Sequence, residues 1–156
     1  MKTCAFCATE IHKNYCAFCE MDLKDRYILN NGERIKNTID YIPDQSEMFK
    51  NTKELKEKET IELLFLLRFA RQYRSDIYNL RINVHKAEGQ GADMQEYDLT
   101  SSDYEEATRK VWVIENIIKM RVGYFPQKIM DDFLDKYVER IEKSEKKVMK
   151  MRKKVN

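Results

Sequence analysis

A mainly α-helical chain with a small cysteine-built N-terminal module is the fold class this sequence predicts, and three observations carry it. All four cysteines fall between Cys4 and Cys19. Charged residues make up 36% of the 156 residues, with only 4 glycines and 2 prolines, a composition that favours helices over a β-sandwich. Three later stretches repeat apolar residues in steps of three and four. The length suits one modest core beside a small module. The expected organisation is residues 1–42 as the cysteine module, with a hairpin extension, and residues 43–156 as an antiparallel three-helix bundle with a basic tail.

Cys4-Ala5-Phe6-Cys7 and Cys16-Ala17-Phe18-Cys19 are two identical C-x-x-C turns. A tetrahedral metal takes four soft donors on a sphere of about 2.3 Å, and each turn delivers two sulfurs to one side of it. The spacer suits the connecting hairpin: His12-Lys13-Asn14 is polar and turn-compatible, while Ile11 and Tyr15 are available to cover the apolar side. Four thiolates on a dication leave a formal charge of about −2, which Lys2, Lys13 and Lys24 soften. Structural Zn2+ held by Cys4, Cys7, Cys16 and Cys19 is therefore expected. Redox dithiols are the competing reading, though the βαβ context such pairs use is missing. Disulfides are another, though Met1-Lys2-Thr3 runs straight into the first cysteine with no signal peptide. His12 reads as a solvated loop histidine.

The stretch from Cys4 to Leu23 resembles the short zinc ribbon found at the N-terminus of many bacterial proteins, through its four cysteines, Ile11 and Leu23. The resemblance covers about an eighth of the chain. Members commonly carry glycine after the second cysteine of each turn, where positive φ is easy; here Ala8 and Glu20 stand there. The resemblance implies zinc binding and docking to nucleic acid or protein, without catalysis.

Beyond the module, Asn31-Gly32 is a tight-turn pair between apolar flanks. It makes Arg26–Ile35 either a hairpin extending the small sheet or a loop, and Pro43 then interrupts the chain. The first long helix is expected from Asn51 or Thr52, with Asn51 and Glu54 as a capping box, to about His85. Leu63, Leu66, Ala70, Tyr73, Ile77, Leu80 and Val84 form its stripe. Leu64, Phe65, Leu67 and Phe69 widen that stripe enough to make this the central helix. Glu88 to Thr100 reads as an acidic linker. The second helix is expected from Ser102, with Ala107, Val111, Ile114, Ile118 and Val122 inward and Gly123 as its C-terminal stop. Pro126 is expected to open the third, with Met130, Phe133, Leu134, Tyr137 and Ile141 inward. Trp112, between apolar stripes, reads as a core-edge residue.

The candidate contact surfaces are three. Lys143, Lys146, Lys147, Lys150, Arg152, Lys153 and Lys154, opposed only by Glu145, make a positive tail that either attracts phosphate or simply solubilises the helix end. Phe6 and Phe18 occupy matching places in the two turns, and either point outward as contacts or pack on the hairpin and Tyr27. Arg68, Arg71, Arg74 and Arg81 share an arc of about 140° on the central helix. Such arginines usually pair with neighbouring acids, here Glu105, Glu106, Asp131 and Asp132; the other reading is a phosphate grip beside Tyr73 and Tyr78.

Several function classes find no support. The net charge of +2 is too small to argue for nucleic acid by itself. No apolar run approaches the ~20 residues of a membrane span. The only histidines are His12 and His85, no phosphate-cradling glycine loop or hydrolase motif is present, and a four-thiolate zinc leaves no open position for water. A non-enzymatic cytoplasmic protein is expected, with no small-molecule substrate. Its partner would be nucleic acid or a nucleic-acid-associated protein; the alternative is a protein-interaction module, homo-oligomeric or binding one protein. A composition rich in Lys, Asn, Ile and Tyr points to a bacterial or bacteriophage source.

Overall fold

The computed structural model describes residues 1–36, 42–89 and 94–148. It divides into two units, Met1–Thr38 with Lys136–Asn156, and Ile39–Asp135. Among the described residues the chain is mainly helical, with short antiparallel strands in its N-terminal part.

In the first unit β1 (Lys2–Cys4) pairs antiparallel with β4 (Ile28–Asn30), and β2 (Tyr15–Cys16) with β3 (Met21–Asp22). Asn31 and Gly32 adopt φ of 51° and 74°, the left-handed pair of a tight hairpin turn. Yet among the described residues no strand follows them: the partner of β4 is β1. The reason lies in long-range hydrogen bonds. Met1 O accepts the Asn31 N–H at 3.0 Å, and the buried Thr3 hydroxyl accepts the Gly32 N–H at 3.0 Å while donating to Leu29 O at 3.3 Å. The turn is thereby tied to the chain's beginning, and the small sheet is extended from the N-terminal side.

In the second unit α1 (Thr52–Glu57) starts at the expected capping box. Asn51 Oδ1 accepts the Glu54 N–H at 2.9 Å, and Glu54 Oε2 accepts the Asn51 N–H at 3.1 Å. Replacing Asn51 with alanine should lower stability by about 1 kcal/mol, read as a shifted urea midpoint at unchanged slope.

The helix does not run on to His85 unbroken. Lys58 turns extended (ψ 151°), and a second reciprocal box, Glu59 with Glu62, opens α2 (Thr60–Glu88). The break is held from outside the helix: the Lys58 ammonium pairs with Glu47 in a preceding 3-10 segment (Gln45–Phe49) and approaches Glu62 at 3.9 Å. That ammonium, with Lys50 beside it, keeps the Glu47 carboxyl below its ordinary range against the opposing effect of burial.

The first half of α2 is covered on several sides, with Ile61, Leu63, Leu64, Leu66, Leu67 and Ala70 all buried. Beyond Ala70 the covered arc narrows toward α3 (Met94–Val122), and Leu80, expected in the stripe, is 48% exposed while Val84 stays buried. The α2–α3 pairing is antiparallel. Arg121 reaches Thr60, Arg71 reaches Glu115, and Tyr78 meets Tyr104, so numbers rise along one helix as they fall along the other. Lys110 donates to the Phe49 and Lys50 carbonyls, and Arg121 to that of Lys56, placing cations on the unpaired C-terminal carbonyls of the two preceding short helices.

α3 begins well before Ser102. Nothing from Met94 to Ser101 is a glycine or proline, so the cap-forming serines lie inside a helix that simply continues. Ala107, Val111, Ile114 and Ile118 are buried as expected, joined by Ile117. Gly123, at φ 86°, ends the helix with its N–H on the Lys119 carbonyl at 2.8 Å, but Val122, one residue earlier, is 49% exposed. Trp112 corrects its expected place: it is 64% exposed. At 100° per residue it stands roughly 140° from the mean direction of the buried α3 positions.

Pro126 does not open the last helix. α4 spans Asp131–Glu145; its first residue is held to α2 by an Arg68–Asp131 ion pair, and the preceding segment by Arg71 donating to Gln127 O at 3.1 Å. Ile129 and Leu134 are buried, whereas Met130, expected inward, is 63% exposed at the start of α4. Among the described residues no helix is long and apolar enough to cross a membrane.

Candidate metal centre

The four cysteine sulfurs lie within 4.8 Å of one another. Cys4 and Cys19 Sγ are 3.9 Å apart, and Cys7 and Cys16 Sγ 3.5 Å. Four sulfurs at about 2.3 Å from one ion would stand ~3.8 Å apart along each edge of the tetrahedron, so the two measured edges bracket the value for a bound metal. All four thiols are free, far beyond the S–S bond length of about 2.05 Å.

Local backbone builds the cluster. The Ala8 N–H bonds Cys4 O at 2.8 Å, the Cys4 N–H bonds Thr9 O at 2.9 Å, and the Cys19 N–H points at Cys16 Sγ from 3.4 Å. The first cysteine of each turn is buried and the second half-buried. Behind them Ile11 and Leu23 are buried, with Tyr27 and Ile28 packed alongside. Tyr15, expected to help Ile11, is instead 51% exposed. His12 is exposed and outside the sulfur cluster.

Ala8 and Glu20, where ribbons commonly have glycine, adopt φ of 60° and 53°. The fold thus requires left-handed backbone at both positions and gets it from residues that carry a Cβ, at a cost of about 1–2 kcal/mol each. Ala8→Gly and Glu20→Gly should each recover about 1 kcal/mol, less the extra flexibility glycine gives the unfolded chain. Thermal melts of the metal-loaded variants check this; a lower midpoint for both would show that the turns are not strained.

Electrostatics single out two sulfurs. Burial raises Cys7, but hydrogen bonding with the Thr9 hydroxyl and backbone and with Cys16 and Cys19 outweighs it, bringing the thiol from 9.0 down to about 6. Thr9, with its oxygen 3.2 Å from Cys7 Sγ, is a contributor that the cysteine spacing alone does not reveal. Hydrogen bonding with Cys7, followed by burial, pushes Cys19 up to about 12. Without a cation, then, one sulfur ionises easily and its neighbour resists. A cation at the centre favours the thiolate form of such a sulfur set. The donor set fits a soft or borderline divalent metal in a closed structural site.

The expected contact residues differ widely in exposure. Phe18 is 75% exposed; Phe6 is 48% exposed, with one face against Tyr27 at 5.0 Å between ring centroids, and Arg26 lies over the Tyr27 ring at 4.6 Å. Lys143 is exposed near Glu139 at 3.9 Å, and Lys146 and Lys147 are exposed beyond the end of α4. Lys150, Arg152, Lys153 and Lys154 lie outside the described residues. Of the four arginines of α2, Arg68 meets Asp131 and Arg71 meets Glu115 at 3.0 Å, while Arg81 stands over the Tyr104 ring at 5.6 Å.

Comparison with protein families, curated proteins and solved structures finds no match for this chain.

Proposed function

We propose that this chain is a non-enzymatic zinc-binding regulator or adaptor of bacterial or bacteriophage type, acting in the cytoplasm on nucleic acid or its machinery. In this reading Cys4, Cys7, Cys16 and Cys19 hold Zn2+ in a ribbon, and α2, α3 and α4 form a three-helix antiparallel bundle. Phe6 and Phe18 on the ribbon, with the basic residues from Lys143 to Lys154, make the contacts.

The supporting observation is the contrast inside one turn: Cys16 is wholly buried while Phe18, two residues on, is 75% exposed. A metal-fixed turn holds a large apolar ring in water, and such rings are favoured contact points for a base or a partner groove. A closed four-thiolate set also leaves the metal no position for substrate.

The test uses the full zinc-loaded chain and labelled single-stranded and duplex oligonucleotides across a salt series. Binding is expected to weaken linearly in log[salt], by about 0.9 per duplex phosphate neutralised and about 0.7 for single strands, and Phe18→Ala is expected to weaken it further. Absence of binding at low salt overturns the reading.

A protein-interaction module without nucleic-acid contact is the second reading. It is favoured by Trp112 and Met120, 64% and 75% exposed on the outer side of α3, two turns apart on one face. Sedimentation that shows a salt-insensitive oligomer, lost in Trp112→Ala, would establish it.

A further inference from the structure

Two open clefts meet at Tyr78 of α2, and one of them reaches across the α2–α3 seam to Tyr104. One, about 410 Å³, is lined by Arg71, Arg74, Tyr78 and Tyr104; the other, about 320 Å³, by Tyr78, Arg81 and Lys86 among others. Tyr78 belongs to both. No carboxylate is among the lining residues whose side chains the structure describes. The Arg71 charge is matched by Glu115, but Arg74 has no ion pair among the described residues and is half-buried at the cleft wall. Asp103 and Glu106 act on Tyr73, whose phenol is held above 10.0 by burial first and then by those charges; Tyr73 lines neither cleft.

We propose that this seam is a binding site for single-stranded nucleic acid, in which Arg74 takes a backbone phosphate and the Tyr78 ring stacks on an unpaired base. The inference rests on the nucleic-acid reading above and adds a contact surface separate from the ribbon and the tail. Three arguments carry it. The lining is cationic and aromatic, the combination that grips a phosphate backbone and stacks bases without reading sequence. Tyr78 is 47% exposed, braced by Tyr104 at 5.6 Å between ring centroids, so its ring is both held and reachable. At 100° and 1.5 Å per residue, Arg74, Tyr78 and Arg81 follow one side of α2 over ~10 Å, a track for a strand rather than a pocket for a small anion. A duplex keeps its bases stacked inside, which leaves Tyr78 nothing to stack on.

The test is anisotropy of a labelled oligothymidylate with the full zinc-loaded chain. Tyr78→Ala should weaken binding about tenfold, while Tyr78→Phe stays within about twofold of the original because the ring remains. Arg74→Gln should weaken binding and reduce the salt slope by about 0.7, one single-strand phosphate. That variant loses no ion pair, so it keeps the test informative if Tyr78→Ala disturbs the packing on Tyr104. A duplex of the same length should compete poorly. If the original chain binds and both Tyr78→Ala and Arg74→Gln bind equally well with helicity intact, the seam site is overturned while the ribbon-and-tail reading stands. If the original chain binds no oligonucleotide, both fall.

Discussion

Stripping the metal with a strong chelator is expected to unfold the N-terminal module while the helical signal of α2 and α3 persists. The module has little else to hold it. Ile11 and Leu23 are its fully buried aliphatic side chains, each supplying about 1.5–3 kcal/mol. A structural zinc in such modules contributes on the order of 10 kcal/mol. In the proposed zinc site the metal is therefore the larger contribution, and Cys16→Ser, which removes a wholly buried sulfur of the cluster, should have nearly the effect of the chelator.

Acid should act in the same direction. The folded cluster holds Cys7 at about 6, below its ordinary 9.0. A depressed thiol stabilises the fold fully above about pH 9, and that contribution is lost as pH falls through about 6, where protons also begin to compete with metal for this sulfur. Metal affinity should therefore fall throughout acidification, since Cys19 must also give up its proton, and more steeply below about 6 where Cys7 joins it. Amide spectra of residues 1–36, recorded with metal analysis of the same sample, read both effects. An unchanged spectrum after complete metal removal would sink the coupling.

The second large effect belongs to the helical unit. Leu66→Ala and Ile118→Ala, at positions with no exposure on α2 and α3, should each cost about 2–5 kcal/mol in lost transfer energy and residual cavity. That is a large share of the 5–15 kcal/mol typical of whole domains. Trp112→Ala removes a larger side chain yet should change stability by only about 0.5 kcal/mol or less, since most of the ring is already in water. Urea midpoints at constant slope measure all three. A Trp112→Ala loss comparable to that of Leu66→Ala would mean the exposed face is covered in solution.

Much of the candidate site was legible because its information is local. Two C-x-x-C turns at this spacing bring four sulfurs together, as the structure finds them. The resemblance to zinc ribbons marked Ala8 and Glu20 as positions where glycine is common, and the structure gives both a positive φ. Thr9 was not legible, because its bond to Cys7 depends on how the loop returns. The clefts beside Tyr78 were half legible: the arginine arc is a property of one helix, but which arginine keeps an uncompensated charge depends on acids brought from elsewhere.

The same division runs through the fold. By itself the sequence determined the cysteine cluster, the Asn51–Glu54 box, the inward set Ala107, Val111, Ile114 and Ile118, and the Gly123 stop. The box and the stop are settled within a turn of chain, the inward set shows in its apolar spacing, and the cluster joins two turns across a short spacer. Tertiary contacts were needed for the helix break at Lys58, where Glu47 adds to the local Glu59–Glu62 box, for Pro126 lying outside α4, for β4 pairing with β1, and for Trp112 facing water. In the first three of these the deciding bonds, Lys58–Glu47, Arg71–Gln127 and Gly32–Thr3, join residues far apart in sequence, and for Trp112 the choice of face is made by what packs against α3. Their energies are invisible to any reading of local periodicity.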